Sequence, residues 1–182
     1  MPVTALDDAI PFQPVSLIAY FSLWLYVSIA PALLKTKEEL LFHGKVAATI
    51  GMVGFVIFFF WPTAIPHADG LRETDISTLS WLKQTDAAGN ACPSLHVAFA
   101  VFSGFWLNRA LVEMRVPMAM RWLNIAWCGV IAYSTLSTKQ HVVVDVIGGA
   151  LLGWIGGIIG STKARQKRIQ VSRPEESVLL SD

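Results

Sequence analysis

An all-α, polytopic membrane helical bundle is the fold class this chain predicts, and three observations predict it. Of its 182 residues 54% are hydrophobic and only 15% are charged, against about 25% charge in ordinary soluble domains. Mean hydropathy is +0.53. The apolar residues gather into about five stretches of the length that crosses a bilayer as a helix, roughly 20 residues, at about 10–34, 46–65, 93–112, 122–137 and 141–161. Helices are expected because a lipid interior offers no partner to an open backbone.

The first stretch carries no charge between Asp8 and Lys35, and the acids Asp7 and Asp8 before it are not the basic lead of a cleaved signal peptide. The second contains the run Val56-Ile-Phe-Phe-Phe-Trp61. The third opens at Pro93, a residue suited to a helix start. The fourth runs from Trp122 to Ser137, and the fifth follows at once from His141. Together they make one integral membrane domain over 1–182, with an outer loop at 66–92 and a basic tail at 162–182. Within the loop, Asp75 to Leu82 reads as a short amphipathic helix with Asp75 as its N-cap. The tail beyond Arg173 reads as disordered.

Charge orients the bundle. If the helices alternate, all 14 basic residues except Arg72, Lys83 and Lys139 fall on one side, and the positive-inside rule makes that side cytoplasmic. The amino terminus is then outside and the tail inside. The balance of 14 basic to 13 acidic residues lacks the basic excess of a nucleic-acid binder. Two cysteines, Cys92 and Cys128, are too few for a disulfide scaffold or a zinc cage, and their positions on different levels argue against pairing. Gly149-x3-Gly153 and Gly156-x3-Gly160 read as close helix packing.

Ionisable residues inside membrane helices are costly and mark function. Here they are His96, His141 and Asp145, with Lys139 at a boundary. Alternation places the start of the third helix, the end of the fourth (Ser134, Ser137) and the start of the fifth at one outer face. His141 and Asp145 are four apart and share a helix face, so the carboxylate can fix the imidazole tautomer and free the other nitrogen as a nucleophile or base. On spacing alone a polar pair gluing helices is the alternative. A metal site completed by His96 and His67 is another.

The local text is more specific. Pro93-Ser94-Leu95-His96 and Ser134-Thr-Leu-Ser-Thr-Lys-Gln-His141-Val-Val-Val-Asp145 resemble the second and third signatures of the type-2 phosphatidic acid phosphatase and vanadium haloperoxidase superfamily, Pro-Ser-Gly-His and Ser-Arg-x5-His-x3-Asp. The membrane lipid-phosphatase branch related to inositol-phosphorylceramide synthases looks closest. The resemblance implies a nucleophile at His141 that forms a phosphohistidine, Asp145 orienting it, His96 as general acid, and Ser94 as a donor to phosphate oxygens, with no metal or other cofactor. The Gly of the second signature is Leu95 here, whose N–H remains available. The Arg of the third falls at Thr135, leaving Lys139 as the nearest cation, beside Ser134. The first signature, Lys-x6-Arg-Pro, has no clean copy, and His67 or Arg72 stands where its charge is expected.

The resemblance implies a membrane lipid phosphatase, a phosphoric monoester hydrolase acting on a phospholipid or polyprenyl phosphate at the outer surface of the bilayer. Phosphatidic acid, phosphatidylglycerol phosphate and polyprenyl diphosphate are candidate substrates. A lipid phosphotransferase is the alternative enzyme, and a catalytically inactive lipid-binding relative the alternative of another class. The expected location is a bacterial inner membrane, with the site on the periplasmic face.

Overall fold

Thr4 starts the first helix, α1 (Ala5–Ala9). Its N–H and hydroxyl both donate to the Asp7 carboxylate, at 2.8 and 2.7 Å, which satisfies the leading N–H of a helix of a single turn. The computed structural model describes residues 1–65 and 90–171. The expected amphipathic helix at 75–82, most of the outer loop, His67, Arg72 and the end of the tail lie outside the described residues.

Five longer helices follow: α2 (Ser16–Ala32), α3 (Lys37–Phe60), α4 (Leu95–Glu113), α5 (Met118–Ser137) and α6 (Val143–Val171). Helix α3 starts ahead of the expected 46. Thr36 caps it by accepting the Glu39 N–H at 3.2 Å, and Glu38 and Glu39 occupy the first turn, where acidic side chains offset the helix dipole. The charged residues 37–45 thus extend the apolar helix rather than precede it. Helix α6 likewise continues beyond 161 into the basic stretch.

Helices α4 and α5 both end with a non-glycine residue in the left-handed region, Arg115 and Lys139, each at φ 56°. At the end of α5 the Lys139 N–H donates to the Leu136 carbonyl and the Gln140 N–H to the Thr135 carbonyl. This is the Schellman pattern, which usually employs glycine at the left-handed position. A residue with a Cβ costs roughly 1–2 kcal/mol there.

Helix α4 is the centre of the bundle and touches α2, α3, α5 and α6. Its Ala98, Phe102 and Trp106 form the core with Leu23 and Tyr26 of α2, Ile50 of α3 and Ile131 of α5. The α4–α6 seam is the closest. A Cβ added at Gly149 or Gly153 would collide with the backbone carbonyls of Ser94 and Ala98, and one at Gly160 would lie 2.7 Å from the Trp106 indole nitrogen. The small-residue pattern therefore brings two backbones together. Tyr26 adds a polar tie, donating its hydroxyl to Asn124 at 2.7 Å, while the Asn124 amide donates to the Gly104 carbonyl at 3.0 Å.

The outer surface is apolar. Phe59, Phe60 and Trp61 are 79%, 77% and 74% exposed, and Trp24 is 65% exposed, far more contiguous apolar surface than water tolerates. Helices α3, α4 and the Val143–Gly160 part of α6 are long and apolar enough to cross a membrane, and α2 is apolar but shorter. The protein is a helical membrane protein. At the end where α3 begins and α4 finishes, Arg109 pairs with Glu39 at 2.6 Å and Glu113 at 2.9 Å. The histidines and Asp145 of interest collect at the other end.

Candidate active site

The start of α4 is fixed from two directions. The Ala91 N–H donates to the Thr63 carbonyl and the Cys92 N–H to the Thr63 hydroxyl, at 3.1 and 2.8 Å, tying the approach to the segment after α3. Ser94 then caps α4, its hydroxyl accepting the Val97 N–H at 3.3 Å. Its own N–H donates to the Asp145 carbonyl at 3.0 Å, and Gly149 lets its carbonyl lie against α6. The first turns of α4 and α6 are thereby held side by side.

The four-residue spacing predicts a shared helix face for His141 and Asp145, but α6 begins only at Val143, so His141 lies in the turn just before it. Its Nδ1 lies 3.6 Å from Asp145 Oδ2 in the first turn of α6. That distance exceeds hydrogen-bond length, and contacts of this kind in unliganded sites commonly shorten when substrate binds. Asp145 is fully buried and His141 is 6% exposed. The same Oδ2 accepts the Val142 N–H at 3.2 Å, so the carboxylate closes the first turn of the helix it orients. His141 Nδ1 and Gln140 Nε2 are buried without a hydrogen-bond partner. The backbone beneath is firmly set, because the Thr135 carbonyl accepts the N–H groups of both Gln140 and His141 at 3.1 Å.

His96 comes from α4 to face this pair, its ring centroid 6.0 Å from that of His141. Tyr20 of α2 stacks on it at 4.7 Å, and Trp24 meets it edge-on at 6.4 Å. The two imidazoles are close enough to address one small group held between them. Ser94, at the same level, is fully buried.

The remaining sequence-selected residues separate. Leu95 turns its side chain toward Gly54 of α3, where an added Cβ would meet it at 2.6 Å. The residue that replaces the signature glycine is thus accommodated by a glycine on the neighbouring helix. Ser134 is buried and donates its hydroxyl to the Ile131 carbonyl at 2.6 Å, and Thr135 donates to Ala132 at 2.8 Å. Both hydroxyls are directed into their own helix. Lys139 extends its ammonium to the carbonyls of Asp7 and Ile10, at 2.7 and 2.6 Å. Among the described residues no group of three or more His, Cys, Asp or Glu side chains is placed to hold a metal ion. Cys92 and Cys128 are both free thiols.

A family model described as the PAP2 superfamily matches residues 3–159. The chain belongs to the PAP2 superfamily. No curated protein and no solved structure matches it. Membership carries a phosphatase-type activity on lipid phosphates in membranes as the general expectation for the chain. The match takes in all five long helices at least in part, and so both of the segments that form the histidine cluster.

Sequence reasoning missed three residues beside the cluster of this PAP2 superfamily member. Asp7, 7% exposed, donates nothing but accepts the Val143 N–H on Oδ1 at 2.8 Å. Burial opposes its charge, yet the Thr4 hydroxyl and N–H, the Val143 N–H and the Lys139 ammonium outweigh it and hold the carboxyl below its ordinary value. The spacing Thr4-x-x-Asp7 was the available signal. Tyr20 offered none, since nothing local links α2 to His96. Cys92 sits beside Asp145. Burial pushes its thiol above the ordinary value, and the charge and hydrogen bonding of Asp145 add to the shift.

Proposed function

We propose that this protein hydrolyses a lipid phosphate monoester or diphosphate through a phosphohistidine on His141. The observation that carries the reading is the meeting of His96 with the His141–Asp145 pair at the joined starts of α4 and α6. His141 attacks phosphorus with the nitrogen not turned to Asp145, which orients the ring and offsets the charge that develops on it. The P–O bond to the leaving group breaks, and His96 gives its proton to the departing oxygen, that of an alkoxide from a monoester or of a lipid monophosphate from a diphosphate. Water, deprotonated by His96, then attacks the phosphohistidine, the N–P bond breaks, and inorganic phosphate leaves. The Ser94 hydroxyl and the Leu95 and His96 N–H groups at the start of α4 are the donors this reading assigns to the transferring group. His67 and Arg72 are the remaining candidates for a phosphate-facing cation.

The proposal includes five membrane passes by α2 to α6, with the amino terminus and the histidine cluster at the outer face, on the distribution of basic residues. In a Gram-negative bacterium that face is periplasmic. The deciding experiment incubates purified protein with phosphatidic acid, phosphatidylglycerol phosphate and polyprenyl diphosphate, and measures both free phosphate and new lipid. Phosphate release by the wild type, lost in His141→Ala, is expected, with an acid-labile phosphoprotein trapped by rapid quench. A new phospholipid without free phosphate would instead assign head-group transfer, the alternative enzyme reading. Full turnover in His141→Ala would overturn the mechanism.

A further inference from the structure

We infer that Asp7 and Lys139 form a clamp through which the segment before the first long helix positions the nucleophile-bearing turn. This rests on the reading of His141 as nucleophile and extends it to two residues that do not touch the reacting atoms.

The clamp closes a circuit of hydrogen bonds. The Asp7 carboxylate uses Oδ2 to accept from Thr4 and Oδ1 to accept from Val143, the first residue of α6. Asp7 therefore caps α6 from a part of the chain more than a hundred residues away. Its backbone carbonyl, with that of Ile10, receives the Lys139 ammonium. Lys139 lies two residues before His141, in the turn that joins α5 to α6. Farther along, the Gln13 N–H donates to the Ser137 carbonyl at 2.9 Å. Both flanks of His141, at 139 and 143, are thus fastened to residues 7–10.

Two features single this contact out from ordinary surface attachment. Lys139 is held at φ 56°, a conformation glycine would adopt without strain. Glycine would satisfy the turn but could not reach the segment, so the side chain is the feature the turn accommodates. The division of labour at α6 is also notable. Its leading N–H groups at Val142 and Val143 go to Asp145 and Asp7, two carboxylates of the protein itself. The positive end of this helix is therefore occupied by fixed anions, which stiffens the turn carrying His141. A phosphate is left to the start of α4.

The test compares Asp7→Ala, Asp7→Asn, Lys139→Ala, Lys139→Gly and the double Asp7→Ala/Lys139→Ala. Asp8→Asn is the control, because Asp8 is exposed and outside the circuit. Turnover of phosphatidic acid in mixed micelles is read alongside hydrogen exchange of peptides covering 137–147. The clamp predicts that Asp7→Ala and Lys139→Ala each lower kcat by about 10–100-fold, the range of a small misplacement of reacting groups, with KM nearly unchanged. Asp7→Asn should retain part of the rate, since a carboxamide oxygen can still accept from Val143. Lys139→Gly should fall as far as Lys139→Ala despite its relaxed backbone. The double variant should be no worse than the poorer single, because both open one circuit. Exchange at 137–147 should rise in every clamp variant and stay at the wild-type level in Asp8→Asn. Wild-type turnover or wild-type exchange in Asp7→Ala, recovery in Lys139→Gly, or additive losses in the double would overturn the inference. His141→Ala separates the two readings. If it is inactive while Asp7→Ala matches wild type, the clamp alone fails; if it stays active, the nucleophile assignment fails, and exchange at 137–147 still decides the clamp.

Discussion

Gly149→Ala is the sharpest test of how the site is built. The added methyl would collide with the Ser94 carbonyl oxygen and stand 3.1 Å from its carbon and 3.2 Å from its Cβ. No rotamer change relieves this, because the obstacle is the backbone of the residue that caps α4. Ordinary carbon–oxygen contact is about 3.3 Å or more, so the two helices must part by about 1 Å. The Ser94 N–H to Asp145 carbonyl bond crosses that same gap, and its loosening moves His96 away from the His141–Asp145 pair. A displacement of about 1 Å at reacting groups is worth roughly 100-fold in rate, or about 2.7 kcal/mol in the barrier. Overpacking should also lower stability by about 1–3 kcal/mol. Gly129→Ala is the comparison, because nothing lies within 4 Å of its built Cβ. That variant should keep its turnover and gain up to about 1 kcal/mol from helix propensity. Phosphate release from phosphatidic acid in mixed micelles, with thermal unfolding followed by far-ultraviolet circular dichroism, measures both effects. Wild-type turnover in Gly149→Ala would refute the claim that the α4–α6 contact sets the catalytic distances.

Three further outcomes follow from individual contacts. His96→Ala should slow phosphorylation of His141 by lipid esters, which have poor leaving groups, far more than by an activated aryl phosphate, which should keep a fast burst of phenol release before turnover stalls for want of the base; loss of that burst as well would make His96 a packing residue against Tyr20. Asp7 is held below its ordinary value of 3.8, so the stability it contributes is complete above that value and is lost as pH falls through the lower folded one. The stability gap between wild type and Asp7→Asn should therefore be flat from about pH 5 to 8 and shrink in acid, and a gap that widens in acid would contradict the capping role. Tyr26→Phe should cost about 1 kcal/mol by leaving the Asn124 acceptor unpaired, read as a lower midpoint in thermal unfolding with turnover maintained.

The presence of the long helices was legible in the sequence as apolar stretches, and three of them are long and apolar enough to cross a membrane. Their ends were less so. The start of α3 at Lys37 depends on the Thr36 cap and acidic first turn, which outweigh the charges that make 37–45 look like a loop. The extension of α6 past Gly160 reflects the same point, that a helix can outrun its apolar window. The glycines of α6 pointed to close packing, yet their partners on α4 emerge only in three dimensions.

The chain itself determined the class of the protein and the chemistry available to it: apolar segments at membrane length, and His96, His141 and Asp145 at neighbouring helix starts. Periodicity and spacing are local properties, and the short interval keeps His141 within 3.6 Å of Asp145 even though His141 stands ahead of α6. Tertiary structure decided which groups answer which. It turned Lys139 to the Asp7 and Ile10 carbonyls, directed the Ser134 and Thr135 hydroxyls into their own helix, fitted Leu95 over Gly54, and set Tyr20 on His96. These are contacts between residues far apart in the chain, and their partners depend on where the packed helices bring each side chain, which no local pattern encodes.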